Sequence, residues 1–269
     1  MVPAISSIKK IYKQLVPERT RLNVLYLWFK IRGFMLRGTR YYCICCNGTY
    51  QKFLDYGNIR RKNVLCPYCH SLERTRVLMY YLQRETDVFN GGSKILHFAP
   101  ERGIENHLKK AVENYITGDI NPALADHKID ITDIPYKDNY FDYVICSHVL
   151  GHVADEAKAI DEIYRVLDHG GTAIIMTPVD DTLEKTYEDE KITSPHARKL
   201  HYGEPDLLRK HGRDFHARLK RKNITVKAVD YRLAFSDEER EKYALGDGRR
   251  EVLYVCTKKP EKRTPKKMA

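Results

Sequence analysis

No stretch of the 269-residue chain is long and apolar enough to span a bilayer. The best run, Leu22–Phe29, is broken by Asn23 and ended by Lys30 and Arg32, far short of the roughly 20 residues a spanning helix needs. A secretory leader is not expected either, because Lys9, Lys10 and Lys13 are followed by no clean apolar core or small-residue cleavage site. Internal repeats and low-complexity segments are missing, which excludes solenoid and fibrous architectures. Acidic residues are nearly absent from the two ends. Residues 1–40 carry nine Lys and Arg against one Glu, a charge of +8, and residues 257–269 carry six against one, +5. Taking these from the total of +11 leaves −2 for the body, so the basicity lives in the termini. Basic ends suit nucleic acid, anionic lipid or an acidic partner, or serve as solvated tails. Apolar content of 42% is enough for a sizeable core, and the length suits one α/β domain plus a small module in a cytoplasmic protein.

Residues 1–40 read as a basic segment of one or two helices, interrupted at Pro17. Leu22, Val24, Leu25, Tyr26, Leu27, Trp28 and Phe29 are apolar almost all round a helix. Such a helix is expected to be buried against the body. The competing expectation is peripheral membrane contact through residues 22–36, with Lys30, Arg32 and Arg37 at the headgroups.

Five of the seven cysteines fall within residues 43–69. Cys43 and Cys46 form one C-x2-C pair, and Cys66 and Cys69 another, 19 residues on. Each pair lets a tight turn aim two sulfurs at one point, and two such turns complete a tetrahedral thiolate site for Zn2+. Four protein ligands close the site, so the zinc is expected to be structural; Cys45 can replace a neighbour. Phe53, Leu54 and Tyr56 read as hairpin strands, and Ser71 as the cap of a helix presenting Leu72, Met79 and Leu82. Residues 41–86 are thus a zinc ribbon with its linking helix.

Gly91 and Gly92 mark the start of the main domain, residues 90–258, and residues 259–269 form a basic disordered tail. Strands are expected at 94–98, 115–117, 127–129, 141–146 and 172–176, with late strands at 224–231 and 251–257. A helix over 155–167 stops at Gly170-Gly171 as its C-cap signal. Alternating strands and helices predict a mostly parallel sheet covered on both faces. Residues 179–222 are charged and irregular. Their segment 179–215, with Asp180, Asp181, Asp189, His196 and His211, is expected to cover the substrate as a solvated surface.

Open α/β sheets bind ligands outside the C-terminal ends of their strands. There the chain places the turn Ala99–Gly103, then Asp119, Asp130, Ser147-His148 and Pro178. The turn keeps only Gly103; Ala99 and Glu101 stand where other glycines would fall. A carboxylate at Asp119 can accept two hydrogen bonds from a ribose diol, and Asp130, one strand on, can accept from an adenine amino group.

With these elements in order, the chain resembles the class I S-adenosylmethionine-dependent methyltransferases of the type 11 kind. Ile95–Gly103 matches the glycine-rich first motif, Gly118-Asp119-Ile120 the acidic second, and Asp130–Pro135 with Phe141–His152 the third and fourth. Glu162 to Gly171 is closely similar as well. The resemblance covers about residues 90–258. The cysteine module, with Cys66-Pro-Tyr-Cys-His-Ser-Leu-Glu-Arg74, resembles a bacterial subgroup with a zinc ribbon ahead of this domain; Glu188 to Glu190, Tyr202 to Asp206 and Gly212 to Asp214 resemble that subgroup too. The resemblance implies a Rossmann-like sheet with helices on both faces. It implies a cofactor site for S-adenosylmethionine made by Phe98, Ala99, Pro100, Glu101, Gly103, Asp119, Ile120, Asp130, Ile131, Ser147 and His148. The departures are His97, where the family usually has an acidic residue, Gly151, where an acidic residue is frequent, and Leu207, where the subgroup tends to have His. Glu101 either faces the cofactor's positive charge or sits at a helix start as a carboxylate favoured by the dipole.

Methyl transfer asks the protein mainly to align nucleophile and methyl. A hydroxyl nucleophile also profits from a base, and His148 and His152 are the candidates. The leading expectation is a small-molecule or glycan acceptor, methylated at oxygen. An RNA methyltransferase of the rRNA type is the second, using the basic N-terminal region, with Tyr41, Tyr42, Tyr50 and Tyr68 as the nearest thing to a stacking surface. A non-catalytic binding protein on the cofactor fold is the third. Ser147-His-Val-Leu lacks the Asn/Asp-Pro-Pro-aromatic pattern of amino-methylating DNA enzymes.

Overall fold

The computed structural model describes residues 15–261, the side chain of Arg19 excepted. The lysine-rich stretch before residue 15, with the helix expected there, and residues 262–269 of the expected tail lie outside the described residues.

A helix, α1 (Glu18–Met35), precedes the cysteine module. The module is two antiparallel hairpins, β1 (Arg37–Cys43) with β2 (Gly48–Tyr50), and β3 (Leu54–Tyr56) with β4 (Arg61–Leu65). Helix α2 (Glu73–Glu85) leads on. The main domain then runs β5 (Ile95–Phe98), α3 (Arg102–Ala111), β6 (Tyr115–Asp119), β7 (His127–Lys128), β8 (Phe141–Ser147), α4 (Glu156–Val166) and β9 (Leu167–Met176). Two short helices follow, α5 (Pro195–Tyr202) and α6 (Phe215–Arg218), then β10 (Ile224–Val229), α7 (Asp237–Lys242) and β11 (Leu253–Lys258).

Seven strands form one sheet in the order β10-β11-β9-β8-β5-β6-β7. The strands from β5 to β9 are parallel, and β11 is inserted antiparallel between β9 and β10. This is the expected Rossmann-like α/β fold. Strand order reverses between β5 and β8, so the switch-point crevice opens beyond Phe98 and Ser147. Side chains alternate across the sheet. Leu96, Val144 and Ile175 face one core with Ile160, Ile163 and Phe215. Ile95, Ile145 and Ile174 face the other, which they share with Val77, Leu78 and Met79 of α2 and with Cys43 and Cys66. The cysteine module is therefore built into the sheet's core.

Three local expectations change. The helix α4 ends at Val166, four residues before Gly170, because Leu167 already pairs with Phe141 of β8. Gly170, with φ of +82°, instead lies within the long strand β9. Ser71 does not cap α2: Leu72 holds that position, and its N–H donates to Thr75 Oγ1 at 3.1 Å. The helix α1 is not buried all round. Leu22, Tyr26, Phe29 and Gly33 form its inward stripe, and a Cβ on Gly33 would lie 2.6 Å from Tyr68 Cβ, so only glycine permits the approach. On the opposite side Val24, Leu27, Trp28, Ile31 and Met35 are each more than half exposed.

One side chain fastens module to sheet. Arg76, on α2, is fully buried and faces no carboxylate among the described residues. Its Nε donates to Tyr243 O at 2.9 Å, Nη1 to Ser71 O at 2.8 Å, and Nη2 to Val64 O at 2.9 Å and Ala244 O at 2.6 Å. The guanidinium also lies 4.7 Å from the Phe53 ring centroid. Hydrogen bonds from a charged donor contribute about 1.5–3 kcal/mol each, and buried carbonyls left without donors add their own cost. Arg76→Met should therefore lower unfolding free energy by about 3 kcal/mol or more in urea denaturation. A loss below about 1 kcal/mol would show that the joint is not held this way.

Candidate active site

The crevice begins where β5 ends. Phe98 is buried in the core beneath it. Ala99 takes a φ of +47°, with its N–H donating to Gly118 O at 2.9 Å. That backbone shape is the one glycine adopts freely, so alanine here holds the turn at a strain of about 1 kcal/mol. Pro100 follows, and Glu101 is the N-cap residue of α3 without a side-chain cap bond. Its Oε1 instead accepts from Arg74 Nε at 2.9 Å, and its Oε2 is buried without a partner. Gly103 faces away from the crevice: a Cβ there would meet Cys45 Cβ at 3.0 Å and Ser71 Cβ at 3.4 Å. Its smallness makes room for the cysteine module.

Across the crevice, Asp119 ends β6 and accepts the Asn121 N–H on Oδ1 at 2.7 Å. Burial lifts its carboxyl above the ordinary value, against the pull of that bond. Oδ2 has no partner among the described residues. Ile120, 62% exposed, offers a flat apolar surface beside it. Asp130 is exposed and uses Oδ1 to hold the Thr132 N–H and hydroxyl, which leaves Oδ2 open. Ile131 is a core residue and can offer a ligand only its backbone. Ser147 Oγ, at the end of β8, is buried without a partner. His97 points elsewhere. It is fully buried, its Nδ1 lies 2.8 Å from the Tyr115 hydroxyl, and burial pushes its pKa down to about 3, so it is neutral.

The residues fit S-adenosylmethionine. Two orphaned buried oxygens, Glu101 Oε2 and Ser147 Oγ, lack the donors that a cofactor's ammonium group could bring, and Asp119 Oδ2 and Asp130 Oδ2 are free for a ribose diol and an adenine amino group.

Beside the crevice lies a cavity of about 170 Å³ containing His148, Gly151, His152 and Leu207. His148 has a φ of +58° and is held well below its ordinary pKa, first by burial and then by the Arg74 charge. Its Nε2 lies 3.2 Å from the Arg250 carbonyl, an acceptor, so Nε2 carries the proton and Nδ1 is a free base. His152 Nδ1 lies 3.3 Å from Asp206 O and 3.5 Å from Asp206 Oδ2, which leaves Nε2 to accept. Two departures from the family pattern meet here. A Cβ on Gly151 would stand 2.8 Å from Leu207 Cδ2, so Leu207 occupies the space that a larger residue at 151 would need.

The wall behind these histidines escaped the sequence reading. Arg209, 5% exposed, donates to Leu150 O, Val153 O and Ala154 O and pairs with Glu188 at 2.8 Å, clamping the turn that carries His152. His211 was expected on a solvated surface but is 2% exposed, bonded to Thr177 Oγ1 at 2.8 Å and Glu156 Oε1 at 2.5 Å. Burial alone would raise the Glu156 carboxyl, but His211 and Arg218 hold it below its usual range. The alternation of charged and apolar residues in 179–222 gives no sign of partners more than 50 residues away.

In the cysteine module the Sγ atoms of Cys43, Cys46, Cys66 and Cys69 all lie within 4.8 Å of one another. Cys43 and Cys69 are 3.6 Å apart and Cys46 and Cys66 3.8 Å, against an edge of roughly 3.8 Å for a tetrahedron with metal–sulfur bonds near 2.3 Å. The donor set fits Zn2+. Ser71 Oγ lies 3.1 Å from Cys43 Sγ and Tyr50 Oη 3.3 Å from Cys46 Sγ, the outer contacts that orient such ligands. Cys45 does not join the four. It is buried 3.8 Å from Thr75 O, and burial first, then Cys43, keeps its thiol well above the usual range.

Residues 104–175 match the protein family described as Methyltransferase domain. The match runs from α3 to β9, about a quarter of the chain. An uncharacterised protein of Methanocaldococcus jannaschii is 41% identical over 73 residues, 26% of this chain and 32% of that protein. The ubiquinone/menaquinone biosynthesis C-methyltransferase UbiE of Vibrio campbellii is 32% identical over 82 residues, 29% of this chain and 30% of its own. The chain thus spans about a third of the length of the curated relatives it matches. A solved S-adenosylmethionine-dependent methyltransferase from Mesorhizobium loti aligns over 68% of this chain and 98% of its own, at 15% identity and a TM-score of 0.45.

The thiolate cluster makes a direct prediction. Purified protein should hold one zinc per chain by elemental analysis. Cys46→Ser or Cys69→Ser should release it and lower the melting temperature, while Cys45→Ala should keep it. Metal lost from the Cys45 variant alone would reassign the ligands.

Proposed function

We propose that this chain is an S-adenosylmethionine-dependent methyltransferase acting on a small-molecule or glycan acceptor at a hydroxyl oxygen. The observation that supports it best is the set of acceptors without partners among the described residues, Glu101 Oε2, Asp119 Oδ2 and Asp130 Oδ2, beyond the ends of β5, β6 and β7, together with a cavity past β8 lined by two histidines. The cofactor supplies a methyl group on a sulfonium, already activated for in-line displacement. Asp119 and Asp130 would hold the nucleoside end and Glu101 the ammonium end, which would fix the reacting carbon for the acceptor. Such positioning contributes several kcal/mol. His148 Nδ1, kept neutral by burial, accepts the acceptor's hydroxyl proton, and His152 is the alternative base. The four thiolates hold a structural zinc that supports the turn through Cys45 and Gly103.

The RNA reading loses two of its four tyrosines, since Tyr41 and Tyr50 are core residues of the module and cannot stack on bases. The binding-protein reading, in which the glycine-poor turn no longer holds the cofactor, predicts no cofactor binding. Saturating S-adenosylhomocysteine should raise the melting temperature by several degrees, and Asp119→Ala should weaken its binding at least tenfold in calorimetry. No stabilisation by this ligand would refute the methyltransferase reading.

The outward stripe of α1 also receives an occupant, the surface of an anionic bilayer. Val24, Leu27, Trp28, Ile31 and Met35 share one face, flanked by Arg21, Lys30 and Arg32, and the first forty residues sum to +8. Full-length protein should sediment with vesicles containing phosphatidylglycerol, and the double variant Trp28→Glu, Ile31→Glu should stay in solution. If vesicles never bind and the same variant instead dissolves a dimer or releases RNA, the stripe serves another partner.

A further inference from the structure

The acceptor cavity carries an unusual set of charges for a pocket that would take a neutral alcohol. Arg61 of β4, Arg74 of α2 and Arg250 of the loop before β11 all line it, and Glu204 is the one carboxylate among its lining residues. Each arginine is presented differently. Arg61 is gripped from behind by Glu73, through Nε at 2.8 Å and Nη2 at 3.4 Å, which leaves Nη1 open. A Cβ on Gly57, itself a lining residue with φ of +102°, would fall 2.8 Å from that Nη1, so glycine keeps the tip clear. Arg74 uses only Nε, on Glu101, and both its Nη groups are without a partner among the described residues. Arg250 is half-buried, and its guanidinium makes no hydrogen bond or ion pair among the described residues. Burial and the neighbouring Arg61 charge push it below its ordinary pKa.

A half-buried guanidinium without a partner is costly, and a fold retains such a group where a ligand completes it. The loop that carries Arg250 is organised to present it. The carboxylate of Glu251, 1% exposed, accepts the Gly248 N–H at 2.8 Å and the Arg250 N–H at 3.3 Å, and Gly246 and Gly248 both take positive φ to wrap around it. The Arg250 carbonyl in turn receives His148 Nε2. Anchor and candidate base are thus tied together through one peptide unit. Glu204 pairs with none of the three arginines, so it leaves their open donors available and stands across the cavity as an acceptor for hydroxyls.

We propose that this cavity binds an anionic group of the methyl acceptor, a carboxylate or a phosphate, on Arg250 and the open Nη ends of Arg61 and Arg74. The proposal rests on the methyltransferase reading for the word acceptor, and the binding site itself does not. Planar guanidinium forks match both anions and discriminate them from neutral sugars. The acceptor hydroxyl then sits a short distance from the anion, near His148, which places the class of substrate among acidic sugars, sugar phosphates and comparable hydroxy acids.

The test is a titration of the full-length protein, saturated with S-adenosylhomocysteine, with glucuronate, glucose 6-phosphate and neutral glucose, read by ligand-observed NMR. At least one of the two anions should bind tenfold or more tightly than glucose, with affinity falling as salt rises. The stronger anion identifies the group. Arg250→Gln should bring the anion down to the level of glucose while leaving the melting-temperature shift by S-adenosylhomocysteine intact, and Arg250→Lys should restore part of the difference. Equal binding of all three sugars, binding of none, or an anion preference that survives Arg250→Gln overturns the proposal. A normal S-adenosylhomocysteine shift with no anion preference sinks the cavity assignment alone. Anion binding without any S-adenosylhomocysteine shift sinks the methyltransferase reading alone.

Discussion

The structure depends on a guanidinium that has no carboxylate partner among the described residues. Arg76 binds the carbonyls of Val64, Ser71, Tyr243 and Ala244, so the charge is neutralised by peptide dipoles from three separate parts of the chain. Those parts carry the arginines of the cavity: β4 brings Arg61, the start of α2 brings Arg74, and the segment beyond Ala244 brings Arg250. A carboxylate partner would satisfy Arg76 locally. Carbonyls oblige it to gather distant backbone. The cysteine module and the C-terminal segment therefore form one wall, and the sheet supplies the other.

Within the sheet, strain marks the two strand ends that border the crevice. Ala99 and His148 both adopt positive φ, and they end neighbouring strands on either side of the switch point. Neither is glycine, so each conformation is held by surroundings: Ala99 by its bond to Gly118 O, and His148 by an N–H bond to Met176 O together with its ring bond to Arg250 O. The poor glycine content of the first turn reflects where bulk is needed. Gly103 is small for the sake of Cys45, and Glu101 is large because its carboxylate has a partner in Arg74 to hold.

Much of this frame was legible in the sequence because it is written in local pattern. The strand at 94–98, the carboxylates Asp119 and Asp130 at strand ends, the helix through Ile160 and Ile163 and the paired C-x2-C turns each follow from spacing over a few residues. The rest was not, because it is made by contacts across long separations. Arg76 meets Tyr243 and Ala244, Arg250 enters a cavity with Tyr56, and His211 meets Glu156; none of these pairs shares a helix face or a turn. The solvated reading of 179–215 holds for Asp181, Asp189 and His196 and fails at His211 for the same reason, since charged residues look alike in sequence whether water or a buried partner receives them. The double apolar stripe of α1 misled in another way. Residues apolar all round suggested burial, whereas the helix touches the body on one side only.

The Arg74–Glu101 pair has one end in each of the two spaces described above. Glu101 belongs to the turn at the cofactor crevice and Arg74 lines the arginine cavity, joined by a bond of 2.9 Å. A group that bonds to Glu101 Oε1 or to Arg74 Nε competes with this contact, so a change at either end is felt at the other. Free-energy coupling of this kind is symmetrical. The two spaces thus share a single ionic contact, and a substitution at either residue alters the charge that lines both.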